Sequence, residues 1–275
     1  MQRFHKLLII VLAIVILESC QKTEVADFQD KAVVEAYLFA EQIPVVKISK
    51  LIPFSGSATF SDMDIDKLSI QITEKSTGKI FLMSSMGEGK YKNELLQVKT
   101  GETYSVTFPY NGEVVDATTT VPGKPQKVKA TPTSVTVTQP GEMSGEPGGG
   151  GPGRPSDILI TWENSEKSYY LIVVQNMETA PVAIYDEDEE DERPSMSFRS
   201  EPTQADSCKI NSMTFQYYGR HRVIVNKIQP EYALLYSNNS NSSQSLTEIH
   251  ANVTNGFGIF TAINSDTLFV RVLKP

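Results

Sequence analysis

From residue 31 onward, apolar and polar side chains alternate in short runs that Gly, Pro, Asn and Asp interrupt. Leu68, Ile70 and Ile72 share one side of the run 68–73, the two-residue period of a strand with one buried face. Residues 32–39 and 45–51 are further strand-like runs. Thr77-Gly78 turns the chain into Lys79 to Met83. Asn111-Gly112, the strongest short hairpin signal in the chain, joins the alternating run Tyr104 to Phe108 to the run Val114 to Val121. No window in this stretch carries a helical period.

Pro122-Gly123-Lys124-Pro125 breaks the pattern and reads as a domain boundary. Beyond it, 128–138 holds one or two strands. Residues 139–156 are rich in Gly and Pro and too poor in apolar side chains to offset chain entropy, so they read as a disordered insertion. Ile158 to Trp162 and Tyr169 to Val174 form a strand pair in which Trp162 is most simply a core anchor, with ligand stacking as the alternative. Residues 186–192 are seven consecutive carboxylates, which self-repulsion keeps solvated in an acidic loop at 186–194. Met213 to Tyr218 and Arg220 to Ile228 read as strands, and Pro230 to Tyr236 as a short helix opened by proline. Phe257 to Ala262 and Thr267 to Val272 read as a closing hairpin that turns at Ser265-Asp266. The expectation is an all-β chain of two tandem β-sandwich domains. Residues 31–122 are immunoglobulin-like, and 123–275 are fibronectin-III-like with a short helix insertion.

The first thirty residues follow a different pattern. Arg3 and Lys6 precede the apolar run Leu7 to Leu17, and composition turns polar after Leu17-Glu18-Ser19-Cys20. At about 1.5 Å per residue this run is ~17 Å long, short of a bilayer core of ~30 Å, so it reads as an export signal. Leu17, Ser19 and Cys20 resemble the lipobox of bacterial lipoproteins, with Glu18 a departure from it. The resemblance implies a signal peptide at 1–19, fatty acylation (palmitate among the chains) at Cys20, and a flexible tether at 20–30. Gln21, Lys22, Thr23 and Glu24 are similar to the signal that sends Bacteroidota lipoproteins to the outer face of the outer membrane, with Thr23 in place of the usual acidic residue.

Charge and composition narrow the chemistry. The chain carries 25 Lys and Arg against 33 Asp and Glu, a formal charge of −8. That balance gives no electrostatic footing on nucleic acid or anionic lipid. Of two cysteines, acylation of Cys20 leaves only Cys208, so neither an intrachain disulfide nor a cysteine-rich metal site is expected. The mature body keeps His221 and His250. No nucleophile elbow, zinc-helix motif or phosphate-cradling loop is present. Ser76 and Lys79 have serine-x-x-lysine spacing but straddle a hairpin turn. Asp266-Thr267-Leu268 resembles a Bacteroidota O-glycosylation pattern and is equally a strand start. No catalytic residue, metal or cofactor is expected.

Several segments together resemble an uncharacterised family of Bacteroidota outer-membrane lipoproteins, domain of unknown function 4249. They are the lipobox, Val33-Val34-Glu35-Ala36, Gly101 with Tyr104, the 117–122 segment ending in Val121-Pro122, and above all Asn252 to Phe260. Members are often encoded beside TonB-dependent receptors, so the resemblance implies an accessory role beside such a transporter. Two functional readings follow. One is a non-enzymatic, surface-exposed, ligand-capturing accessory protein, with Tyr217, Tyr218, Tyr232 and Tyr236 as candidate ligand-binding residues. The other is a structural or adhesive spacer.

Overall fold

The computed structural model describes residues 30–51, 64–138, 157–185, 195–237 and 252–275. Lys31–Leu51 and Asp62–Pro275 belong to one compact unit. Eight strands come from the first half of the chain: β1 (Ala32–Phe39), β2 (Val45–Lys50), β3 (Gln71–Glu74), β4 (Lys79–Leu82), β5 (Ser84–Gly87), β6 (Lys90–Lys92), β7 (Thr103–Tyr110) and β8 (Glu113–Thr120). The second half supplies β9 (Lys129–Thr131), β10 (Ser134–Thr136), β11 (Ile158–Thr161), β12 (Tyr169–Asn176), β13 (Ser197–Arg199), β14 (Ser207–Ile210) and β15 (Gly219–Ile228). Helix α1 (Pro230–Ser237) and strands β16 (Val253–Thr254) and β17 (Phe257–Leu273) complete the chain.

The all-β expectation holds, and the strands form two β-sandwich halves over a shared floor. That floor is a nine-stranded sheet ordered β13-β12-β15-β17-β1-β2-β6-β5, with β10 also paired to β17. A five-stranded sheet, β16-β8-β7-β3-β4, covers the first half, and a three-stranded sheet, β14-β11-β9, covers the second.

One strand makes the floor continuous. The closing hairpin expected at Ser265-Asp266 is absent: residues 257–273 form a single strand. Its first part runs parallel to β1 from Phe257 to Ile263, and its second runs antiparallel to β15 from Ile263 to Val272. Side chains alternate faces along a strand. The even-numbered residues of β17 thus serve both cores, Phe260 and Ala262 in the first, Val270 and Val272 in the second. The chain crosses back over the break at 122/123: Val253 on β16 joins the first covering sheet beside β8, and Phe260 and Ala262 on the floor strand β17 return to the first core.

Local chemistry explains how β17 is seated. Gly258 has φ +96°, and a Cβ there would lie 2.0 Å from the Val34 carbonyl oxygen, so only glycine allows this close approach to β1. Asn252 acts as a substitute strand partner for Phe260: its amide donates to the Phe260 carbonyl at 2.7 Å and its Oδ1 accepts from the Phe260 N–H at 3.0 Å. Asn111 and Gly112 both have positive φ, as the hairpin reading of that dipeptide requires.

A second expectation also changes. Met213 to Tyr218 is not a strand: a 3-10 turn at Ser212–Thr214 is capped by the Asn211 side chain, and Tyr217 pairs with Ala183 in an isolated bridge outside any strand. The short helix stands where proline placed it. It packs Ala233 on Leu171, Ile228 and Ile263 of the outer sheet face. Glu231 in its first turn accepts from the Thr119 and Thr261 hydroxyls.

Candidate functional site

Between the two cores, the inner face of the floor turns polar. Tyr170, Lys227 and Asn264 lie side by side on β12, β15 and β17. Asn264 reaches across the seam, donating to the Thr100 hydroxyl at 3.0 Å and the Pro122 carbonyl at 2.9 Å. Two residues along, Asp266 pairs with Lys124 at 2.9 Å. The linker between the covering sheets is thus pinned to the floor at both Pro122 and Lys124.

Two adjoining hollows open at this seam. One, of about 350 Å³, is lined by Gly123, Lys124, Gln126, Glu163, Glu166 and Tyr170 among others. Its neighbour, of about 460 Å³, takes in Pro122, Lys167, Tyr169, Gln204 and Gln229. Gly123, Glu166 and Lys227 border both hollows, and the Lys227–Glu166 ion pair at 3.0 Å is common to them.

The wall at 163–168 is built on one buried side chain. Asn164 Oδ1 accepts from the Ser168 N–H, and its amide donates to the carbonyls of Ser168, Gln204 and Ala205 at 2.9–3.1 Å. Gln204 in turn donates to the Lys167 carbonyl, and Gln229 to that of Thr120. Tyr170 donates its hydroxyl to the Glu163 carbonyl at 3.3 Å and stacks at 5.0 Å on Trp162. Burial, then the negative charges of Glu166 and Glu163, push the Tyr170 phenol above its ordinary range, so it stays a neutral donor. Trp162 belongs to the second core, as a core anchor should, although its Nε1 has no hydrogen-bond partner among the described residues.

The cleft therefore offers ammonium, carboxylate, amide and phenol groups on a fixed floor, a chemistry of binding through hydrogen bonds and paired charges. His221 lies far from this seam in the second core, against the Phe215 ring at 4.8 Å and beside Asn176. Burial holds its pKa below the ordinary histidine value. Cys208 is half-buried on β14, and burial raises its thiol pKa, which disfavours the reactive thiolate. Among the described residues no group of three or more His, Cys, Asp and Glu side chains is placed to hold a metal ion. No helix among them is long and apolar enough to cross a membrane.

The four tyrosines read as ligand candidates do not meet. Tyr217 and Tyr218 are buried, and Tyr218 donates to the Val137 carbonyl at 2.9 Å. Tyr232 and Tyr236 sit on α1 over the opposite face of the floor, ring to ring at 5.7 Å, with Tyr37 at 5.4 Å from Tyr232. Burial is the first cause that raises the Tyr232 phenol pKa, followed by its hydrogen bond to Tyr236. Cys20, the segment Gln21, Lys22, Thr23 and Glu24, the insertion 139–156 and the acidic loop 186–194 lie outside the described residues.

The cleft residues were not singled out from sequence, although one signal pointed to them. In β15, His221, Val223 and Val225 face inward, and Lys227 continues their period. A lysine at a core position next to a Pro-Gly linker marks a polar seam, where ligand clefts are common.

A family model described as Domain of unknown function (DUF4249) matches residues 19–268. No curated protein matches the chain. Among solved structures, the crystal structure of the chicken CNTN1 FN1-FN3 domains is similar at 10% identity, covering 85% of this chain and 64% of that one. Its TM-score is 0.20, too low to bear on fold or function, and the architecture rests on the strand pairing described above.

Proposed function

Starting from a chain that belongs to the DUF4249 family, we propose that it is a non-enzymatic lipoprotein of the outer membrane that captures a small polar ligand in the junction cleft. Acylation at Cys20 tethers it, the residues Gln21 to Glu24 direct it to the cell exterior, and a TonB-dependent transporter receives what it captures. The observation that carries capture is the pair of adjoining hollows of about 350 and 460 Å³. Their size suits small ligands. Both signs of charge beside tyrosine, amide and backbone groups favour a hydroxyl-rich or zwitterionic molecule over an apolar one.

The test is photo-crosslinking in intact cells under nutrient limitation. A crosslinker at exposed Ser165, on the cleft wall, should yield an adduct with an outer-membrane receptor, while one at Lys79 on β4 should not. No adduct from either position, or equal adducts from both, argues against capture and delivery.

The shared floor favours one alternative, a rigid spacer. A sheet continuous through both halves resists bending between them and would hold a distal surface at a fixed distance from the membrane.

A further inference from the structure

Lysines and arginines have separated in this fold. The nine ion pairs among the described residues all use a lysine. The four described arginines, Arg199, Arg220, Arg222 and Arg271, make none, and all stand on the outer face of the floor in the second half. Arg199 pairs across β13 and β12 with Val173, which packs beneath α1. Arg222 lies between Gln175 and Phe269, and Arg220 lies directly opposite Arg271.

Neighbours hold three of these guanidinium groups without neutralising them. Arg220 stacks on the Phe269 ring at 3.8 Å from its centroid, and Arg199 on Tyr236 at 5.1 Å. Arg222 donates to the Gln175 side-chain oxygen. Glu178 does reach this region, but its Oε1 accepts from the Arg220 backbone N–H at 2.7 Å. Like charges directly opposite each other on neighbouring strands are destabilising. Arg222 adds a third charge about 7 Å along the strand from Arg220. The fold keeps this repulsion, and among the described residues no carboxylate lies within ion-pair distance of these guanidinium groups.

We propose that this arginine face docks on the phosphate groups of an anionic bilayer surface. Planar guanidinium forks match phosphate oxygens, and stacking on Phe269 and Tyr236 orients the forks beforehand. The site is the face of a sheet, not a hollow, which suits an extended anionic surface. The net charge of −8 conceals the patch, because that sum averages over segregated charges. The inference rests on membrane anchoring only to bring this face near a bilayer.

The full-length chain is reconstituted in vesicles of phosphatidylcholine alone or mixed with phosphatidylglycerol. Arginine modification by phenylglyoxal is then mapped by peptide mass spectrometry. Modification at Arg220, Arg222 and Arg271 should slow about tenfold in the anionic vesicles only, and 0.5 M salt should restore it. The double variant R220Q/R271Q should remove the protection of Arg222. Equal rates in both vesicle types overturn the proposal. So does equal protection by millimolar inorganic phosphate without vesicles, which would make the ligand free phosphate. Protection in both vesicle types that disappears when 186–192 are changed to Asn and Gln also overturns it, since the chain's own acidic run would then be the occupant. A chain that washes off neutral vesicles defeats the anchoring reading, and protection on adding anionic vesicles to it would still support the arginine face.

Discussion

In the first half of the molecule both faces of β17 are covered, and residues 259–264 are buried without a break. In the second half only the inner face is covered: Val270 and Val272 are buried while Phe269 and Arg271 on the other side are exposed. The same strand is thus a doubly packed anchor at one end and a half-solvated ladder at the other. The difference assigns roles to the two ends. The first fixes the shared sheet, and the second has an outer face free to carry charge.

The comparison breaks most severely at Gly258. Gly258→Ala places a methyl against backbone at positive φ and should destabilise the chain by about 4 kcal/mol or more, read by urea denaturation. Phe260→Ala empties a fully buried site in the first core and should cost about 3–5 kcal/mol, whereas Phe269→Ala on the exposed end should cost about 1 kcal/mol or less.

A pH titration sharpens the contrast next, because His221 belongs to the second core. Its folded pKa is held below the ordinary 6.5, so the unfolded chain takes up the proton first. Stability present at neutral pH should fall as pH drops below 6.5 towards the folded value, by at most about 1.4 kcal/mol per unit. His221→Gln should flatten that slope, and an unchanged slope in this variant would assign it elsewhere. The smallest stability effect is expected at the seam. Lys227 pairs with the largely exposed Glu166, so Lys227→Ala should change stability by about 1 kcal/mol or less. The same substitution should abolish the receptor adduct from Ser165.

Sequence pattern was a good guide wherever an element needs only its own neighbours. The alternating burial from Leu68 to Ile72, the Asn111-Gly112 turn and the proline-led helix are local devices that stand where their residues place them, although the paired strand spans only Gln71–Glu74 instead of the whole run 68–73. It misled at Asn264-Ser265-Asp266, where three polar residues between apolar runs have the composition of a turn. Their polarity answers a different need. Asn264 and Asp266 bond to Pro122, Thr100 and Lys124 at the seam between cores, partners 142 or more residues away. The cleft was hidden for the same reason, since its walls come from 123–126, 163–168 and 204, segments distant in sequence that bond to one another only in the folded chain. Met213 to Tyr218 misled because apolar residues spaced for a strand instead drop from a 3-10 turn into the core.

Cooperativity between the halves tests the shared floor most directly. Trp162, the single tryptophan, reports on the second core, and Ile72 is buried in the first. In urea titrations, Ile72→Ala should lower the Trp162 fluorescence midpoint by as much as it lowers the far-UV circular dichroism midpoint. A Trp162 transition that stays in place while the rest of the signal melts earlier would show two independent domains and contradict the continuous sheet.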